Sequence, residues 1–170
     1  MFFIIKSNLI LFPKGSTTAD RDEFNTIYQV PFNSKNKFAI TIHRPSNEYN
    51  ENDLGTSQLV FFCKGAPEVL IEHCSSYLHP DGSEKPLDHE SRNLLETIQD
   101  SWSRKGQRVL LLAKKIIPTH MFPGKSKNDV EMTNLALYFN KDLCIVGLAG
   151  IIGENFFPYK RMCKFVLIDL

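Results

Sequence analysis

The stretch Leu59–Glu68, LVFFCKGAPE, leaves the backbone few choices. Five apolar residues run into a lysine, a glycine and then a proline. The apolar run suits a buried strand. Pro67 suits the first turn of a helix, where no N–H is needed and the ring's fixed φ is already helical. The spacing predicts a helix over Pro67 to Cys74, with Leu70 and Cys74 four apart on its buried face. A strand that ends on a cation, a glycine and a helix N-terminus gathers backbone donors and positive charge in one corner. Such a corner suits an anion, a phosphate for example.

The strand needs a neighbour, and Phe38–His43 supplies one. Phe38, Ile40 and Ile42 alternate with Ala39, Thr41 and His43, the period of a strand with two distinct faces. The segment between the two, Pro45–Ser57, is rich in Asn and Glu and carries no helical pattern. A parallel pair would need a crossover helix, so the pair is expected to be antiparallel.

Further along, Tyr77–Leu78 and Lys85–Leu87 flank Pro80-Asp81-Gly82, which reads as a small hairpin. Asp88 is placed as the N-cap of a long helix, about Glu90 to Lys105, with Leu94, Ile98 and Trp102 as its apolar stripe and Gly106 as its stop. Gln107–Ile117 is the strongest strand; its Val109–Leu112 run is apolar at every position and is expected to be covered on both faces. Asn128–Asn140 is weakly patterned. Asp142–Ile152 is another apolar strand, and Gly153–Leu170 carries no assignable element. The apolar opening Met1–Phe12 reads as a buried strand rather than a signal peptide, because Lys6 interrupts it and no small-residue cleavage site follows. Strands joined by hairpins as well as helices predict an α+β domain, an antiparallel sheet flanked by helices.

Charge and cysteine content narrow the partners. The formal net charge of +1 gives no electrostatic case for nucleic acid or a membrane surface. No run reaches the roughly 18 apolar residues of a membrane helix. Cys63, Cys74, Cys144 and Cys163 are far apart in the chain and form no C-x-x-C pair, which reads as reduced thiols in an intracellular setting without a zinc site. The five histidines are equally scattered.

Four short motifs now stand in order. They are Pro31-Phe32-Asn33-Ser34-x-Asn36-Lys37, Lys64-Gly65-Ala66-Pro67-Glu68, Gly106-x-Arg108-Val109-Leu110 and Cys144-x-Val146-Gly147-Leu148. With this order and spacing the chain resembles the nucleotide-binding domain of P-type cation-transporting ATPases, with the sodium/potassium and proton/potassium pump alpha subunits and their fungal or protist relatives nearest. The resemblance runs from about residue 22 to 152, with 1–21 and 153–170 unmatched. It implies a cytosolic sheet-and-helix domain that holds ATP for an aspartate of a separate phosphorylation domain in an integral membrane pump. By this likeness Phe32 would stack on adenine, an interaction suited to an aromatic face. Lys64 would line the pocket, with Gly65 letting the backbone approach. Lys37 would add positive charge at the mouth. Arg108 would reach the β-phosphate, since a guanidinium fork matches phosphate oxygens. Taken alone, Phe32 reads as a core aromatic and Lys64 as a solvated strand end, while for Arg108 a surface carboxylate such as Glu68 or Asp88 is the rival to a phosphate.

The chain also departs from the family. Ala39 stands where a glutamine often lines the pocket, and no acidic-Ser-Ala motif precedes Phe32. The Asp-Lys-Thr-Gly-Thr run that carries the phosphorylated aspartate is missing, as are the Thr-Gly-Asp and Gly-Asp-Gly-x-x-Asn-Asp runs that hold magnesium and the phosphoryl group. Phosphoryl transfer depends on placing a nucleophile and a metal around the γ-phosphate. The expectation is therefore an ATP-binding module with no catalytic residue and no metal site of its own, magnesium entering only as Mg-ATP. The alternative is a truncated or remnant protein that keeps the fold as an interaction module or has no function.

Overall fold

The computed structural model describes residues 24–45, 58–122, 128–152 and 163–166. The expectations for the apolar opening, for most of Pro45–Ser57 and for most of Gly153–Leu170 lie outside these residues. Eight strands form one sheet: β1 (Phe24–Val30), β2 (Phe38–Pro45), β3 (Gln58–Gly65), β4 (Cys74–Leu78), β5 (Glu84–Pro86), β6 (Gln107–Pro118), β7 (Leu143–Ile152) and β8 (Cys163–Val166). Their spatial order is β1-β2-β3-β6-β7-β4-β5, with β8 also pairing with β7. Among the described residues there are also three α-helices: α1 (Pro67–Leu70), α2 (His89–Arg104) and α3 (Asp129–Phe139).

β2 and β3 pair antiparallel, as the sequence predicts, with Ala39 opposite Lys64 and Phe38 opposite Gly65. β3 and β6 continue the antiparallel run, with Lys64 opposite Leu112. One pair departs from an all-antiparallel sheet: β4 lies parallel to β7. After β3 the chain crosses to the far side of β7 through α1 and a short 3₁₀ turn, Ile71–His73, and it reaches that side in the direction of β7.

A single core lies against one sheet face. It joins Ile40, Ile42, Leu59, Phe61, Cys63, Leu111 and Leu148 to Leu95 of α2 and to Met132, Ala136 and Phe139 of α3. Fully burying a Leu, Ile or Phe contributes about 1.5–3 kcal/mol each, so this cluster dominates the fold's stability.

Local signals set most boundaries. The Asp88 carboxylate accepts from the Ser91 N–H at 2.8 Å, capping α2. Gly106 ends that helix with φ +72°, a left-handed position that costs glycine nothing. In the β4–β5 hairpin the Gly82 N–H donates to the His79 carbonyl at 2.9 Å, and Gly82 also adopts positive φ.

Four further sequence expectations change. The helix after Pro67 does not reach Cys74: α1 is one turn of four residues, then comes the 3₁₀ turn, and Cys74 opens β4. Leu70 and Cys74 are both buried, and the Cys74 thiol donates to the Leu70 carbonyl at 3.2 Å. The stripe of α2 also rotates. Ser91 and Leu95 are its buried residues, Ile98 and Trp102 pack partly against the core, and Leu94 is 40% exposed. Positions 91, 95, 98 and 102 follow the helical period better than a strict spacing of four, which drifts around a helix of 3.6 residues per turn. In β6 burial alternates instead of being continuous: Val109, Leu111 and Ala113 are buried, while Leu110 and Leu112 are half-buried. The weakly patterned segment is α3, whose Asn128 side chain accepts from the Glu131 N–H at 2.8 Å.

Candidate functional site: a cationic cavity on the open sheet face

Strand alternation decides what lies opposite the core. Cys63 and Gly65 are buried, so Lys64 between them points to the other face. By the same alternation Arg108 and Leu110 lie on that face of β6, and Ala39 lies on it in β2. Register then brings them together. Ala39 is opposite Lys64, and Arg108 is opposite Ile151 of β7.

These side chains line an open cavity of about 590 Å³. Phe32, Ser34, Lys37, Ala39, Lys64 and Arg108 border it, with Gly65, Ala66, Glu68, Val109, Leu110 and Ile151 completing the wall. Its volume falls within the roughly 300–1,000 Å³ typical of small-molecule sites. All five residues singled out from sequence, Phe32, Lys37, Lys64, Gly65 and Arg108, are among its lining residues. Phe32 is 61% exposed, so it is not a core aromatic. Among the described residues neither Lys64 nor Arg108 has a carboxylate partner, so Arg108 pairs with neither Glu68 nor Asp88.

The loop carrying Phe32 and Lys37 is held by its own backbone. Asn33 does this twice: its side-chain oxygen accepts from the Asn36 N–H at 2.7 Å, and its carbonyl accepts from the Lys37 N–H at 2.9 Å. Lys37 adopts φ +58°, uncommon for a residue with a Cβ and a mark of a position fixed by its surroundings. Its carbonyl accepts from the Ala66 N–H at 3.0 Å, which joins the loop to the end of β3.

Gly65 makes that join possible. A Cβ there would lie 2.7 Å from the Lys37 carbonyl oxygen and 2.7 Å from Phe38 Cβ. The close approach that this glycine permits is therefore one within the chain. The anion corner read from the sequence also loses a component. With four residues α1 has too little aligned backbone for a useful dipole, and its N-cap Ala66 makes no side-chain cap. The attraction for an anion rests on Lys37, Lys64 and Arg108 instead.

Sequence reasoning gave Glu68 no role in the cavity, and it missed Leu110 and Ile151. Leu110 was within reach of it, because it shares a strand face with Arg108 two residues before. Ile151 was not, because its place depends on the pairing of β6 with β7. The Glu68 carboxylate stands 3.5 Å from the Lys37 ammonium, and its other oxygen is 3.5 Å from the Gln99 side-chain nitrogen.

The remaining titratable groups lie away from the cavity or in the core. Burial pushes the thiols of Cys63 and Cys74 up to about 12 and that of Cys144 up to about 11, so all three stay protonated. Among the described residues no group of three His, Cys, Asp or Glu side chains is placed to hold a metal ion. No helix among them is long and apolar enough to cross a membrane.

Comparison with known proteins gives the same frame as the geometry. Residues 3–154 match the family model described as P-type ATPase, cytoplasmic domain N. The chain is 35% identical over 138 residues to the sodium/potassium-transporting ATPase subunit alpha of Tetronarce californica. It is 33% identical over 138 residues to the potassium-transporting ATPase alpha chain 2 of Cavia porcellus. Each alignment covers 81% of this chain and 12% of the relative, so the chain spans about an eighth of the length of these pumps. A sheet that carries an open cationic cavity, and a family match that spans most of the sequence, lead to one assignment: the chain belongs to the family of P-type ATPase cytoplasmic N domains.

Proposed function

We propose that the chain is an ATP-binding module, and that in a longer pump it presents the nucleotide to a phosphorylation domain on the cytosolic side of the membrane. One observation carries this reading: an exposed aromatic ring and three cations line a single cavity of nucleotide size. Phe32 stacks on the adenine. Leu110 and Ile151 give the base an apolar floor. Lys64 and Lys37 attract the phosphates, and Arg108 holds the β-phosphate through its guanidinium fork. Magnesium enters bound to the nucleotide, since Glu68 is the only carboxylate among the lining residues. The chain carries no Asp-Lys-Thr-Gly-Thr run, so it binds ATP without hydrolysing it.

Ala39 favours a second reading. It lines the cavity with a methyl group where the family likeness implies a glutamine, as expected of an interaction module that no longer needs the nucleotide. Calorimetric titration with ATP separates the two. The binding module gives a saturable isotherm, and Phe32→Ala weakens it by about 5- to 150-fold, the equivalent of roughly 1–3 kcal/mol for one base stack. Because Phe32 is 61% exposed, the same change leaves the melting temperature nearly unaltered. A flat titration with the unaltered chain would establish the second reading. An unchanged isotherm in Phe32→Ala would remove the stacking role.

A further inference from the structure

Glu68 is the one negative charge among the cavity's lining residues, and it stands against one of the three cations. Its contact with Lys37 is long, at 3.5 Å, and both side chains are about half exposed. A contact of that length in water is weak and exchangeable. The two partners are not held equally. The Lys37 backbone is fixed by Asn33 and by the Ala66 N–H, so its side chain swings from a rigid anchor. The second oxygen of Glu68 faces the Gln99 amide of α2 at 3.5 Å. The carboxylate therefore keeps a neutral partner if the ammonium leaves.

We propose that Glu68 is a built-in competitor for the phosphates: it occupies Lys37 while the cavity is empty, and Lys37 transfers from the carboxylate to the polyphosphate when a nucleotide binds. This rests on the ATP-binding reading above. The exchange makes Glu68 a specificity-determining residue, because only a ligand with several phosphate charges at that end outbids a carboxylate for the ammonium. Adenosine gains nothing from the exchange. A triphosphate gains most.

The test is a binding cycle by calorimetry with ATP, ADP and adenosine at low ionic strength. It uses the unaltered chain, Glu68→Gln, Lys37→Met and the double variant. Glu68→Gln is expected to tighten ATP about three- to tenfold, ADP less, and adenosine by under about twofold. The gain should shrink as salt rises toward about 0.5 M, because both partners are solvent-accessible. In the Lys37→Met background Glu68→Gln should lose most of its effect. A full gain in that background would show general repulsion and overturn the exchange. ATP affinity left unchanged by Glu68→Gln would overturn the inference while leaving the binding function standing. Failure of both the unaltered chain and Glu68→Gln to bind ATP would overturn the inference and the function together.

Discussion

Replacing Gly65 by alanine tests the central feature of the site, the join between the Lys37 loop and the end of β3. The added Cβ would sit 2.7 Å from the Lys37 carbonyl oxygen and 2.7 Å from Phe38 Cβ. Comfortable contacts are about 3.5–4.0 Å, so each is short by roughly 0.8 Å. Both opposing atoms lie on or next to the backbone, so neither can rotate away as the tip of a long side chain would. Gly65 is also paired on both sides, with Phe38 in β2 and Leu111 in β6, so it cannot move without disturbing the sheet. Overpacking of this kind costs about 1–3 kcal/mol. If the strand end shifts far enough to break the bond from the Ala66 N–H to the Lys37 carbonyl, about 1 kcal/mol more is lost. The total is roughly 2–4 kcal/mol, which at about 2 kcal/mol per molar of urea lowers the unfolding midpoint by about 1–2 M. Urea unfolding followed by tryptophan fluorescence measures this through Trp102, the sole tryptophan. A midpoint within about 0.2 M of the unaltered chain would refute the packing argument. If that stable variant had also lost ATP binding, the glycine would serve the ligand's approach and not the chain's.

Further expectations concern the core, acid and thiols. Leu95→Ala should cost about 2–5 kcal/mol and Leu94→Ala under about 0.5 kcal/mol in the same unfolding assay, because only Leu95 is buried; equal costs would restore the stripe expected from sequence. Burial lowers the pKa of His43 below its ordinary 6.5, so the unfolded chain binds more protons than the folded one in that range. His43 therefore contributes its full stability above about pH 6.5 and loses it as pH falls through its lower folded value; the melting temperature should drop on acidification, with a shallower drop in His43→Gln. In a Cys163→Ser background Cys63, Cys74 and Cys144 should not react with a thiol reagent at pH 8 until urea unfolds the chain, because burial holds them at about 11–12; prompt labelling would show that the core opens.

Local chemistry was legible in the sequence. Strand alternation marked β2, an aspartate and a glycine bracketed α2, an Asp-Gly turn marked the β4–β5 hairpin, and Pro67 marked the start of α1. Each depends on contacts within a few residues, so each can be read from a short window. α3 escaped because Val130, Leu135, Leu137 and Tyr138 interleave with its buried Met132, Ala136 and Phe139 and blur the period. Its Asn128-x-x-Glu131 start was the signal left unused.

The sequence by itself, through its likeness to the family, singled out residues that line the cavity: an aromatic ring, two lysines and an arginine. Only the tertiary structure decided that they meet. Arg108 is far along the chain from Phe32, and it shares their cavity because β6 pairs with β3 and β3 with β2. The structure also decided that Gly65 is a packing contact, that α1 is too short for a dipole, and that Glu68 stands against Lys37. Turns and caps are settled by near neighbours along the chain. Strand register and the contents of a cavity are settled by burial summed over the whole sheet, which no short window contains.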